Sequence, residues 1–175
     1  MQMLSPVVLA IALACSGCVA PQPESGRTVA AYDVPLSTSQ ERKDFIRILD
    51  SEARAAGFHL DAANDEELAQ LSSISPITVN AAIWRGDDEE LIASAMDMKD
   101  HPGRIWLTFM KGANPPRSTA FRSRLMARIA SRWPQTASLP VLPGGNIPLA
   151  QDLIRTPSGY LLKNSERAKY GLPQQ

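Results

Sequence analysis

"RIWLTFMK", residues 104–111, repeats with a period of two. Ile105, Leu107 and Phe109 fall on one side, and Trp106, Thr108 and Met110 on the other. Successive side chains of an extended strand point to opposite faces, so the run predicts a strand with one packing face and one semi-polar face. A short step further on, "RSTAFRSRLMARIASRW", residues 117–133, changes to the helical period. Leu125, Met126, Ile129 and Trp133 make one apolar stripe there. A strand that needs one face covered is thus followed by a helix with one stripe to bury. Helices covering one side of a sheet is the expectation for the whole chain.

The flanking sequence agrees. Thr28–Val34 predicts a first strand, and Ser37-Thr38-Ser39-Gln40 reads as a capping box. The helix it opens places Phe45, Ile48, Leu49, Ala53 and Ala56 on one stripe and ends at Gly57, a residue suited to a left-handed cap. Phe58-His59-Leu60 is a short extended piece, and Asn64-Asp65-Glu66-Glu67 opens a short second helix through Leu71. Ile77–Arg85 and Glu90–Met98 are further strand candidates, with turns at Gly86-Asp87-Asp88 and Asp100-His101-Pro102-Gly103. The alanines of Glu89–Asp97 leave a short helix open as an alternative there. Pro115-Pro116 breaks the chain and Ser118 is the expected cap of the helix ending near Trp133.

Prolines 134, 140, 143 and 148 with Gly144-Gly145 predict a long Pro/Gly-rich surface segment over 134–155, with a helical turn at Leu149–Leu153. Ser158–Leu162 is a last strand and 164–175 a polar tail. The order predicts an α+β domain over 28–163. It is an antiparallel sheet of about four to six strands with two main helices on one face, ferredoxin-like packing being one candidate.

Of 175 residues, 44% are hydrophobic and 21% charged, a balance that supports a packed core and excludes a disordered chain. The formal net charge of zero hides a split. Residues 24–100 carry 16 Asp/Glu against 7 Lys/Arg, and residues 101–175 carry 2 against 11. Arg124, Arg128 and Arg132 recur every fourth residue and form a basic stripe. Guanidinium forks suit phosphate and carboxylate, so the stripe is a candidate contact for lipid head groups, lipopolysaccharide phosphates or an acidic protein. The competing expectation is pairing with the chain's own acidic stretches, 61–67 or 87–100. No lysine-rich tract or aromatic stacking platform points to nucleic acid.

Candidate chemistry is sparse. His59 and His101 lack the spacing of a zinc motif, and both read as exposed polar residues. Asp87-Asp88-Glu89-Glu90 puts consecutive acids in a turn, where they splay instead of wrapping a cation. No G-x-S-x-G elbow occurs, and Pro143-Gly144-Gly145-Asn146 lacks the spacing of a phosphate loop. No catalytic residue, metal or cofactor is expected.

The amino terminus is more informative. Val7–Ala14 is wholly apolar but far shorter than the ~20 residues that span a bilayer as a helix, which suits a signal peptide. Cys15-Ser16-Gly17-Cys18 follows, and it resembles the lipobox of bacterial lipoproteins, with Ser16 and Gly17 as the small pair. The resemblance implies that 1–17 is a cleaved signal peptide, that Cys18 is lipidated, and that 18–27 is a flexible tether. Val19 in place of aspartate implies outer-membrane placement facing the periplasm in preference to the inner membrane. Three other routes stay open: acylation at Cys15, cleavage after Ala14 by ordinary signal peptidase, and no export. These are the only two cysteines, so processing at Cys18 leaves a domain without a disulfide. The expected function is that of a membrane-anchored envelope lipoprotein with a non-catalytic binding or assembly role and an envelope protein partner. Alternatives are a periplasmic inhibitor or immunity-type lipoprotein and an enzyme with an unrecognised site.

Overall fold

A computed structural model describes residues 26–72, 77–86, 89–98 and 101–174. Cys15, Cys18, the signal peptide, the tether as far as Ser25 and the Asp87-Asp88 turn lie outside the described residues.

The chain is α+β. In order it forms β1 (Thr28–Pro35), α1 (Ser39–Ala55), β2 (His59–Ala62), α2 (Asp65–Leu71), β3 (Asn80–Arg85), β4 (Glu90–Met98) and β5 (His101–Met110). Then follow α3 (Pro115–Arg132), β6 (Ala137–Leu139), a 3-10 turn (Ala150–Asp152), β7 (Leu153–Thr156), β8 (Gly159–Leu162) and 3-10 turns over Asn164–Tyr170. Six strands make one antiparallel sheet in the order β2-β3-β4-β5-β1-β6, and β7-β8 is a separate hairpin. Successive antiparallel pairings make β1 parallel to β2, joined through α1, and β5 parallel to β6, joined through α3. Two split β-α-β units interleave, as in ferredoxin-like packing, but β3 and β4 widen the sheet beyond that four-stranded arrangement.

One sheet face meets the two long helices. Val34, Ile83, Ala95, Ile105, Leu107 and Phe109 share a single buried cluster with Phe45 and Leu49 of α1 and with Phe121, Leu125 and Ile129 of α3. Each large apolar side chain so buried contributes about 1.5–3 kcal/mol. Phe121 stands edge-on to both Phe58 (5.2 Å) and Phe109 (6.2 Å), which ties α3 to the sheet.

Several boundaries differ from the sequence expectation, each for a physical reason. The cap of α1 is Thr38, not Ser37, because the Glu41 carboxylate accepts from the backbone N–H of Ser37 (2.7 Å) and Thr38 (2.9 Å). A charged acceptor at the third position outcompetes the neutral Gln40. Helix α3 is capped by Asn114 instead of Ser118, and Pro115 and Pro116 fill a first turn that needs no N–H donors. Strand β3 begins at Asn80, not Ile77, because the N–H groups of Thr78 and Val79 donate to the Asp97 carboxylate (2.6 and 2.7 Å). Glu90–Met98 is a strand, held between β3 and β5, so the helical alternative for 89–97 does not form.

The 134–155 segment is not simply a surface excursion. It contains β6 and the start of β7, and it buries Leu142 and Leu153. Asn164–Tyr170, at the start of the polar stretch, form 3-10 turns.

Candidate functional site

The second sheet face holds a different set of residues. Strand alternation puts Ala31 and Asp33 of β1 and Arg104 and Trp106 of β5 on the side away from the helices, where Ala31 packs with Leu139 and Leu153 in a smaller cluster. The chain from Leu139 onward folds back over this face, with Val141, Ile147 and Tyr160 packed there. Gly159 makes the approach possible. Its φ is +135°, and a Cβ there would lie 2.7 Å from the Ser138 carbonyl oxygen, so β8 comes as close to β6 as backbone allows.

Under this cover lies a buried polar cluster. Asp33 is 1% exposed in a strand of otherwise largely apolar residues. The Arg104 guanidinium grips it with two donors, Nε to Oδ1 (3.1 Å) and Nη2 to Oδ2. Tyr160 donates its hydroxyl to Oδ2 (2.9 Å) and accepts from Arg104 Nη2 (2.6 Å) and Arg155 Nη1 (3.1 Å). The phenol oxygen therefore uses its one proton and both lone pairs. Arg155 Nη1 also stands 3.7 Å from Oδ2. One carboxylate faces two guanidiniums, so the trio carries one net positive charge.

A second polar cluster ties the C-terminal turns to the cover. Asp152, 4% exposed, accepts from Lys169 Nζ (2.6 Å) and the Tyr170 hydroxyl (2.5 Å). The Lys169 hydrogen bond, then that of Tyr170, holds the Asp152 carboxyl below its ordinary value; the same bond raises Lys169. Desolvation, then the hydrogen bond to Asp152, raises the Tyr170 phenol. Elsewhere on the rim of the sheet, burial opposes ionisation of Glu90, but the Arg85 and Ala113 N–H donors outweigh it and lower its carboxyl.

Between the cover and the exposed end of β4 and β5 is a cleft of about 590 Å³. Its apolar walls are Met96, Met98, Trp106, Leu139, Leu149 and Leu153; its polar floor is Asp33, Arg104 and Tyr160. Asp97 also lines it, but that carboxylate is occupied by the N–H groups of Thr78, Val79 and Gly103 and by the Thr78 hydroxyl. Met96 and Leu149 remain about half exposed, at 49% and 51%. The size falls within the roughly 300–1,000 Å³ of small-molecule sites, and an apolar wall with a few convergent polar groups is their usual composition.

The arginine stripe lies on the other side of the molecule. Arg128 donates to Glu52 (2.7 Å) and to the Ser51 hydroxyl (3.0 Å), Arg124 stands 3.6 Å from Glu52, and Arg132 donates to Asp44 (3.2 Å). Its acidic partners are thus on α1, not in 61–67 or 87–100. His101 is exposed at the cleft rim, and His59 is exposed on the edge strand β2. No group of three or more His, Cys, Asp or Glu among the described residues is arranged to hold a metal ion. Sequence reasoning passed over Asp33, Arg104, Arg155 and Tyr160. The available signal was Asp33 itself, a lone acid inside an apolar strand.

Comparison with known families, with curated proteins and with solved structures finds no match to this chain. No helix among the described residues is long and apolar enough to cross a membrane.

Proposed function

We propose that the chain is a lipid-anchored envelope protein, tethered through Cys18 to the periplasmic side of the outer membrane, with a binding rather than a catalytic role. The observation that carries the binding part is the cleft. Its walls are apolar and its floor groups are committed to one another, with the Tyr160 hydroxyl and the Asp33 carboxylate engaged by Arg104 and Arg155. A reacting acid, base or nucleophile needs a free lone pair or a mobile proton, and these groups have spent theirs on the fold. The anchor part rests on Cys15-Ser16-Gly17-Cys18 after an apolar run too short to span. Acyl chains add ~0.8 kcal/mol per buried methylene, enough to hold a globular domain at a bilayer.

Membrane fractionation and intact-mass measurement of the wild-type chain and Cys18→Ser test the anchor. The expected result is an acylated Cys18 terminus in the wild type and loss of membrane association in the variant. An unmodified terminus, or one at Cys15, overturns the Cys18 assignment. Binding is tested by purifying the detergent-extracted chain with its bound components. Saturable turnover of a substrate by the cleft would overturn the non-catalytic reading.

A further inference from the structure

We infer that the outer face of the β7-β8 hairpin rests on the surface of an anionic bilayer and sets how the domain sits there. The inference rests on the anchor reading above and adds the orientation of the anchored domain.

The first observation is an apolar pair. Ile154 and Leu161 stand directly opposite each other across the hairpin. Their chain neighbours Leu153 and Tyr160 point inward, Leu153 onto Ala31 and Leu139, and Tyr160 onto Asp33. Alternation therefore turns Ile154 and Leu161 outward, where they are 54% and 57% exposed. They are the two most exposed large hydrophobic side chains among the described residues.

The second is where the chain emerges. Gly145 of the cover fits against the start of β1: a Cβ on it would lie 2.8 Å from Arg27 Cγ and 3.0 Å from the Thr28 nitrogen. The hairpin meets the sheet at Ser138, whose strand partner is Tyr32. Tyr32 is only about 13 Å along β1 from Thr28, at ~3.3 Å per residue. Residues 19–25 put at most about 25 Å between Cys18 and Gly26. A folded domain of this length has a radius of gyration of about 15 Å and is roughly 40 Å across. The tether is shorter than the domain is wide, so it holds the faces near its exit at the bilayer and keeps the far ones off.

The third is charge. At one edge of the sheet, β2 and α2 carry Asp61, Asp65, Glu66 and Glu67, and residues 59–72 contain no Lys or Arg. The hairpin docks on β6, the strand at the opposite edge. It lies within residues 134–174, which carry four Lys/Arg against two acids, and one of those acids, Asp152, is paired with Lys169. An anionic surface attracts the second edge and repels the first. The anchor also confines lipid and hairpin within one tether length, an advantage no freely diffusing partner has.

Photo-labelling tests this on the full-length chain in phosphatidylethanolamine–phosphatidylglycerol vesicles containing a phospholipid with a diazirine acyl chain. Peptide mass mapping gives the position of the label, and intact mass gives the state of Cys18. Label on the peptides carrying Ile154 and Leu161 is expected to exceed that on residues 59–72 by about tenfold. Ile154→Thr with Leu161→Thr should lower the hairpin label about tenfold, with membrane retention through Cys18 unchanged. The melting temperature should hold, because both side chains are exposed and threonine keeps the strand preference. Label spread evenly over the domain, or concentrated on the Arg124–Arg132 helix, overturns the inference. So does hairpin label indifferent to the two threonines. An unlabelled hairpin on an acylated chain overturns it too, leaving the anchor reading intact and a protein partner as the occupant of this face. An unacylated chain that does not stay with the vesicles overturns both readings.

Discussion

Tyr160 donates its hydroxyl to Asp33 across 127 residues of sequence, at 2.9 Å, and so fastens the last strand of the chain to the first. Asp33 is buried on β1, and Tyr160 belongs to the β7-β8 hairpin that covers that strand's outer face. The contact joins the two layers that enclose the cleft. Arg104, on the strand beside Asp33, completes the triangle.

This triangle sets an order of sensitivities. Arg104→Gln leaves the Asp33 carboxylate buried with its main cation gone and should cost about 3–5 kcal/mol. Tyr160→Phe removes three hydrogen bonds to charged groups but leaves the Arg104–Asp33 pair in place, and should cost about 1.5–3 kcal/mol. Pairing Arg104→Gln with Asp33→Asn should recover part of the larger loss, because no uncompensated charge then remains. Urea denaturation of the four proteins checks the ranking; a Tyr160 variant weaker than the Arg104 variant would contradict it.

Glycine contributes through backbone geometry at one decisive place. Gly159→Ala should destabilise docking of the hairpin on β6, since its Cβ would strike the Ser138 backbone. Gly171→Ala is the control, being also left-handed (φ +68°) but with nothing within 4 Å of a Cβ. It should cost only about 1 kcal/mol, the penalty of the conformation alone. Hydrogen exchange in residues 153–162 should rise in the first variant and not in the second.

The clamp on the C-terminal turns should respond to pH at both extremes. Asp152 is lowered, so its contribution is present above the ordinary carboxylate value, about 3.9, and is lost as pH falls through the lower folded value. Lys169 and Tyr170 are raised, so theirs are present below their ordinary values, about 10, and are lost as pH rises through the higher folded values. Protection of residues 164–170 should therefore be flat across neutral pH and fall off in acid and in strong alkali. Asp152→Asn should abolish the acid arm; an unaltered acid profile in that variant would falsify the assignment.

The arginine stripe should behave as a structural seam. Changing Arg124, Arg128 and Arg132 to glutamine leaves Glu52, only 9% exposed, without its two cations. Exposed pairs contribute ~0.2–1 kcal/mol each, so the triple variant should lose a few kcal/mol at most. Adding Glu52→Gln should restore much of that in thermal melts. Salt-sensitive loss of binding to anionic vesicles, with stability unchanged, would instead identify the stripe as an external contact.

Much of the fold was legible because it is written in near neighbours. The period of two in residues 104–110 and the stripes through Phe45-Leu49-Ala53 and Leu125-Ile129 depend only on how a strand or a helix projects its side chains. The Asn64–Glu67 capping box and the left-handed Gly57 are settled within one turn. Even the misplaced caps were errors of one to four residues between competing local acceptors.

What tertiary structure alone decided is which distant residues meet. The arginine stripe was visible as a stripe, but its partners Asp44 and Glu52 follow from α1 lying beside α3. The cleft was invisible for the same reason. Asp33, Arg104 and Tyr160 belong to three separate strands, and Met96 and Leu149 line one cleft only because the segment after β6 turns back over the sheet. Spacing along a chain fixes faces, since these repeat with the backbone's own period. It does not fix partners, because pairing across the fold depends on where the packed core has already placed each element.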